Sequence, residues 1–116
     1  MVIAEDDAVA REALTTLLRE EGHQVTAAGD GREALALVLA TAPEVVVTDH
    51  LMPALDGLSL IRQAREAGSH SFFVLVCGVP PDDAHAQADL VLGKPLRIEL
   101  LFDALDRLAR APRGEA

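Results

Sequence analysis

A continuous run of β-branched residues in the middle of the chain, Val45, Val46 and Val47, constrains the fold most strongly. A strand with one face in water alternates apolar and polar residues, whereas a strand covered on both faces is apolar throughout. Residues 72–76 and 24–28 and the shorter runs at 2–4 and 90–92 are also predicted to be strands. Strands buried on both faces are typical of a parallel sheet that lies between two layers of helices.

Segments with helical periodicity separate these strands. The predicted helices cover 8–21, the stretch from Asp30-Gly31 to Pro43, the stretch from Asp56-Gly57 to near Gly68, and 97 to about 110. Their expected buried stripes are Ala10, Leu14, Leu17 and Leu18; Leu35, Val38 and Leu39; Leu58, Ile61 and Ala64; and Ile98, Leu101, Phe102, Leu105 and Leu108. Alternating strands and helices predict an α/β domain with right-handed crossovers.

Chemically active residues follow the ends of these strands. Glu5 and Asp6 follow the first strand, Asp49 the third, Cys77 the fourth and Lys94 the fifth. Ligands of parallel sheets bind at this carboxyl edge. Three carboxylates in one place require a cation, and Mg²⁺ prefers such oxygen ligands. The only lysine of the chain, Lys94, adds a positive charge that can reach a phosphoryl oxygen.

Charge and cysteine content exclude several classes of protein. With 19 acidic against 10 basic residues, the net charge is −9, which disfavours direct binding of nucleic acid or of an anionic membrane surface. A single cysteine forms no internal disulfide, and the apolar runs are too short to span a bilayer. These features predict a cytoplasmic protein without a membrane segment.

Three motifs resemble the receiver domain of response regulators in two-component signalling. They are Ala4-Glu5-Asp6-Asp7, Asp49-His50-Leu51-Met52-Pro53 followed by Asp56-Gly57, and Gly93-Lys94-Pro95. The resemblance implies a flavodoxin-like (βα)5 three-layer sandwich with a parallel five-stranded sheet of order 2-1-3-4-5. We expect a receiver domain at 1–110 and a flexible C-terminal tail or linker stub at 111–116.

The resemblance also implies a role for each residue of the carboxyl edge. Asp49 would accept a phosphoryl group, and Lys94 would pair with that group after a cis peptide bond to Pro95. The Mg²⁺ ligands would be Asp6 directly, Glu5 mainly through water, Asp49, and the backbone carbonyl of Leu51. The implied partner is a sensor histidine kinase or a histidine phosphotransfer protein. Such a domain is a signalling switch that phosphorylates itself from a phosphohistidine donor and hydrolyses the product slowly; it is not a turnover enzyme.

Three departures from the family pattern fall on the signalling half. Cys77 occupies the usual threonine or serine position, and Val91 replaces an aromatic residue of the fifth strand. Only residues 79–87 separate the fourth and fifth strands, so the fourth helix is predicted to be shortened or missing. A non-standard output face is expected.

Other interpretations remain open for the same residues. The main alternative is a receiver-like module for protein interaction or dimerisation that works without phosphorylation. A homodimer through the face from the fourth strand to the last helix, marked by Leu100 and Ala104, is a candidate contact. A small phosphohydrolase would need a second acid where Leu51 stands. Individually, Glu5-Asp6-Asp7 could be a solvated helix cap, Cys77 a small buried hydrophobe, and His50 an exposed bystander.

Overall fold

Five parallel strands form one sheet in the order β2-β1-β3-β4-β5, and five helices connect or follow them. The computed structural model describes residues 1–110, and the predicted tail at 111–116 lies outside them. The predicted fold class is confirmed. The elements are β1 Val2–Ala4, α1 Ala8–Glu20, β2 Thr26–Ala28, α2 Gly31–Thr41, β3 Val45–Asp49, α3 Gly57–Glu66, β4 Phe72–Cys77, α4 Ala84–Gln87, β5 Leu90–Gly93 and α5 Ile98–Arg110.

The central strand β3 explains the valine run. It pairs with β1 on one side and β4 on the other, and all five of its residues are buried. Separate apolar clusters cover the two faces of the sheet. One contains Val46, Leu60 and Phe73, and the other contains Val47, Leu18 and Leu101. Alternate valines of β3 therefore serve two cores, which is the three-layer arrangement that the apolar strands predict.

In α1 and α2, one residue of each predicted buried stripe is exposed. The side chains of Leu17 and Leu39 are 40% and 48% exposed, so their assignment to the core is wrong. Thr15 and Ala34 are buried instead, and the Thr15 hydroxyl donates to the carbonyl of Arg11 at 2.7 Å. One residue turns a helix by about 100°, and apolar content alone does not show which neighbour faces the sheet.

The fourth helix is shortened rather than absent. α4 contains only the four residues Ala84–Gln87, as the short segment between β4 and β5 predicts. Arg65 of α3 holds its C-terminal end by donating to the carbonyl of Gln87 at 3.0 Å and to the carboxylate of Asp89 at 3.0 Å. Within residues 1–110, no helix has both the length and the apolar character needed to cross a bilayer.

Aspartates begin the three helices that follow β1, β2 and β3. The side chains of Asp7, Asp30 and Asp56 accept hydrogen bonds from backbone N–H groups in the first turns of α1, α2 and α3, which is the expected N-cap chemistry. Burial acts to raise the pKa of Asp56, but hydrogen bonds from Ser59 and nearby positive charge together lower the pKa below its ordinary value.

We expect Asp56→Ala to lower the free energy of unfolding by about 1 kcal/mol at pH 7, since the N-cap of α3 is lost. The ionised carboxylate stabilises the fold above its ordinary pKa of roughly 4, and this contribution disappears as the pH falls through the lower folded-state pKa. Urea denaturation at pH 7 and pH 2.5 measures both effects. Asp83 precedes α4 without a side-chain cap, so Asp83→Ala should change stability by less than about 0.5 kcal/mol. Equal losses from the two variants would contradict the assignment.

Candidate functional site

Three carboxylates meet at the carboxyl edge of the sheet, where the sequence predicts them. Glu5 and Asp6 follow β1, and Asp49 is the last residue of β3. β1 and β3 are adjacent and parallel, with Ala4 paired to Thr48, so the residues that follow them emerge side by side. One carboxylate oxygen from each acid lies within 4.8 Å of the others. Among residues 1–110, this is the group of acidic, histidine or cysteine side chains arranged closely enough to hold a metal ion.

Lys94 supplies a positive charge directly against this cluster. Its Nζ donates to Oδ2 of Asp49 at 2.9 Å, and Asp49 is only 5% exposed. The hydrogen bond to Asp49 raises the pKa of Lys94 above its ordinary value, although burial acts in the opposite direction. The only lysine of the chain is therefore committed to the most buried carboxylate of the edge.

Glu5 shows the electrostatic cost of the arrangement. Burial, opposed by a hydrogen bond from the backbone N–H of Asp7 and reinforced by the nearby Asp49 carboxylate, raises the pKa of Glu5 to about 7. One lysine does not balance three acids, so the cluster favours binding either a proton or a cation. Oxygen ligands that are already gathered in this way suit a hard divalent ion such as Mg²⁺.

Arg11 is a supporting residue that the sequence interpretation missed. Its guanidinium Nη1 donates to the backbone carbonyl of Glu5 at 2.9 Å, while the Glu5 carboxylate accepts from the N–H of Asp7 at 3.0 Å. The β1–α1 turn is thus held from both directions. Arg11 lies one helical turn beyond Asp7, but nothing in its spacing distinguishes it from an ordinary surface arginine.

The remaining predicted residues lie at the neighbouring strand ends and in the loop after Asp49. Cys77 is buried at the end of β4, and burial raises the pKa of its thiol, so it stands as a neutral thiol at this edge. The backbone N–H of Lys94 donates to the carbonyl of Cys77 at 3.1 Å, and the peptide bond between Lys94 and Pro95 is cis, as expected. Leu51 lies in the β3–α3 loop with its side chain exposed.

His50 is not the exposed bystander that the sequence suggests. Its side chain is only 17% exposed, and Nδ1 lies 4.0 Å from a carboxylate oxygen of Asp56. The same nitrogen accepts a hydrogen bond from the backbone N–H of Leu58 at 3.4 Å. The residue next to Asp49 is therefore folded back onto the start of α3.

The amino-acid sequence is similar to those of a known protein family. The profile of the family described as "Response regulator receiver domain" matches residues 1–106. Response regulator MprA of Mycolicibacterium vanbaalenii is 36% identical over 115 residues, which are 95% of this chain and 50% of the relative. The chain thus spans about half the length of the curated relatives it matches.

Solved structures share the fold. The receiver domain of Francisella response regulator 1452 superposes with a TM-score of 0.85 at 28% identity, covering 92% of this chain and 93% of that one. Response regulator TrrA of Thermotoga maritima, solved as a complex with Mg(2+)-BeF, superposes with a TM-score of 0.84 at 24% identity, covering 92% and 96% of the two chains. At that identity, the second likeness concerns the fold alone.

The raised pKa of Glu5 predicts a pH-dependent stability in the absence of metal. A carboxyl group whose folded-state pKa lies above its unfolded value stabilises the fold when protonated, and this contribution is lost as the pH rises from about 4.5 to about 7. In EDTA, parent and Glu5→Gln should therefore differ in the pH dependence of their unfolding free energy. The unfolding free energy of the variant should rise relative to that of the parent across this interval. Parallel curves in urea titrations would show that folding does not raise the pKa of Glu5.

Proposed function

This chain belongs to the response-regulator receiver family, and on that premise we propose that it is a phosphorylation switch whose acceptor is Asp49. The observation that carries the proposal is the arrangement of charges around this carboxylate. Asp49 is buried, paired with Lys94 at 2.9 Å, and within 4.8 Å of two further acids. A structural ion pair alone would need neither Glu5 nor Asp6.

The donor set fits Mg²⁺. Asp6, Asp49 and the backbone carbonyl of Leu51 would bind the ion directly, and Glu5 would act mainly through water. Two oxygens bound to one Mg²⁺ are separated by at most about 4.2 Å, twice the usual bond length. A spread of up to 4.8 Å therefore suits a site in which one carboxylate acts through water. The ion, when bound, would neutralise charge on the carboxylates and on the incoming phosphoryl oxygens.

Lys94 and Asp49 perform complementary parts of the transfer. An Asp49 carboxylate oxygen forms the new P–O bond while the P–N bond of the donor phosphohistidine breaks. The electron pair of the broken bond stays on the donor's ring nitrogen. Lys94 holds Oδ2 beforehand, which fixes the orientation of the carboxylate and leaves Oδ1 for attack, and it then pairs with the phosphoryl oxygens. Slow hydrolysis of the aspartyl phosphate resets the switch.

The proposed partner is a sensor histidine kinase or a histidine phosphotransfer protein in the cytoplasm. The excess of acidic residues argues against direct nucleic-acid binding by this domain. A homodimer through the face from β4 to α5 remains part of the proposal. A groove there is bordered by the charged residues Asp103 and Arg107, and its apolar lining consists of Phe72, Leu90, Leu92, Leu100, Ala104 and Leu108. Leu100 is exposed.

The alternative of an interaction module that works without phosphorylation rests on Cys77, Val91 and the short segment 79–87 that contains α4. All three features lie on the side that would transmit the signal, whereas the acceptor, its lysine and the acidic cluster are all present. A module without phosphorylation has no use for two further acids beside a buried aspartate. We therefore propose an intact acceptor site with an altered output face.

Asp49→Ala should abolish labelling by acetyl phosphate or by a phosphohistidine donor in the presence of Mg²⁺, because the attacking oxygen is removed. Intact-protein mass spectrometry would show one added phosphoryl group on the parent and none on the variant. Asp106→Ala, which changes an exposed acid on α5, serves as the control and should label like the parent. Equal labelling of Asp49→Ala and the parent would disprove the acceptor assignment.

Cys77→Thr should strengthen the coupling between phosphorylation and conformation, since a hydroxyl is a better hydrogen-bond donor to phosphate than a thiol. One such hydrogen bond contributes about 0.5–1.5 kcal/mol, which shifts a two-state equilibrium by roughly two- to tenfold. Amide NMR spectra with and without beryllofluoride measure the change. Cys77→Ser tests a different hydroxyl-bearing side chain at the same position. Identical beryllofluoride-induced shifts in the parent, Cys77→Thr and Cys77→Ser would contradict the prediction.

A further inference from the structure

The first turn of α3 is capped largely by the residue that follows the acceptor. Helix N-termini leave backbone N–H groups without intrahelical partners. In α3, the N–H of Gly57 donates to the carbonyl of His50 at 2.8 Å, and the N–H of Leu58 donates to His50 Nδ1 at 3.4 Å. Asp56 receives the third, from Ser59, at 2.8 Å. His50 thus satisfies two of the first three donors.

The same residue is also fixed to the sheet. Its backbone N–H donates to the carbonyl of Val76 in β4 at 3.1 Å, which prolongs the pairing of β3 with β4 by one residue. The contact with α3 is close, because a Cβ on Gly57 would overlap the carbonyl oxygen of Asp49 and crowd the Cα of His50. His50 therefore connects the end of the acceptor strand with the start of the next helix.

We infer that His50 is a positioning residue for phosphoryl acceptance. Its side chain closes the loop from residue 50 to residue 56, and that loop contains the carbonyl of Leu51. Without the Nδ1 acceptor, the N–H of Leu58 loses its partner and the loop is held at residue 50 by backbone contacts alone. The inference rests on the proposed function, because it assigns to this loop the alignment of Asp49 and Leu51 toward Mg²⁺.

Three substitutions separate the hydrogen bond from the shape of the side chain. In His50→Asn, the amide oxygen occupies the place of Nδ1, so it can accept from Leu58. His50→Leu has a similar branched shape but no acceptor. His50→Gln carries its acceptor one atom further out, near the place of Nε2. If the Nδ1 contact positions the loop, the Asn variant should keep the Mg²⁺ affinity and labelling rate of the parent, while the Leu and Gln variants should not.

The first measurement is Mg²⁺ affinity, followed through amide NMR shifts without any phosphoryl donor. We expect His50→Leu and His50→Gln to bind Mg²⁺ about tenfold more weakly, within the range found for supporting residues around metal ligands, and His50→Asn to stay within about twofold of the parent. The Leu58 amide proton should move upfield in Leu and Gln and remain in place in Asn. Equal affinities and an unmoved Leu58 signal in all four proteins would overturn the inference.

The second measurement is the rate of labelling by acetyl phosphate at saturating Mg²⁺. A slower rate in His50→Leu, restored in His50→Asn, supports alignment of Asp49 as well as of the ion. If the parent is labelled at Asp49 but all variants match it in rate and Mg²⁺ affinity, the role of His50 fails while the proposed function stands. If the parent is not labelled at all, the proposed function fails instead. A variant that does not fold is recognised by its amide spectrum and is set aside. The role of His50 is then decided by comparing the folded proteins that have an acceptor at the place of Nδ1 with those that lack one.

Discussion

The hydrogen-bonded ion pair between Lys94 and Asp49 is the interaction on which this edge of the molecule depends. It joins the buried carboxylate of Asp49 at 2.9 Å to the lysine that follows β5, and two more acids lie within 4.8 Å. One lysine faces three acids here, and burial, reinforced by the nearby Asp49 carboxylate, raises the pKa of Glu5 to about 7. A site that has more carboxylates than its one lysine can neutralise is suited to binding an external cation, together with a ligand that brings further negative charge.

The parallel sheet makes it structurally possible to concentrate these charges at one edge. Strand order places β1 and β4 on either side of β3, so the loops after all three strands converge, while the apolar strands beneath supply the core. Local contacts then fix the loops after β1 and β3. Arg11 holds the carbonyl of Glu5, and His50 and Asp56 together cap α3. The residues proposed to carry out the chemistry are thus held in place by neighbours that do not themselves react.

Sequence patterns predicted the parallel sheet, its helices and the convergence of Glu5, Asp6 and Asp49, because hydrophobic period and strand ends are one-dimensional features. The strand order came from the resemblance to a family. They failed where the outcome depends on helix rotation. Leu17, for example, is as apolar as Leu18, yet only Leu18 faces the sheet. Patterns also missed Arg11 and misjudged His50, because the importance of these side chains comes from backbone groups that only the folded chain brings near them. Resemblance to a family supplied the roles of Asp49 and Lys94, which spacing alone does not assign.

A crystal structure grown with Mg²⁺ and beryllofluoride would show directly whether Asp49 is the phosphoryl acceptor. We expect beryllium bonded to a carboxylate oxygen of Asp49, with Lys94 Nζ transferred to a fluoride. We also expect Mg²⁺ bound by Asp6, Asp49 and the carbonyl of Leu51. Beryllofluoride bound elsewhere, or a Lys94–Asp49 pair that persists unchanged with no ion among the three acids, would contradict the proposed function.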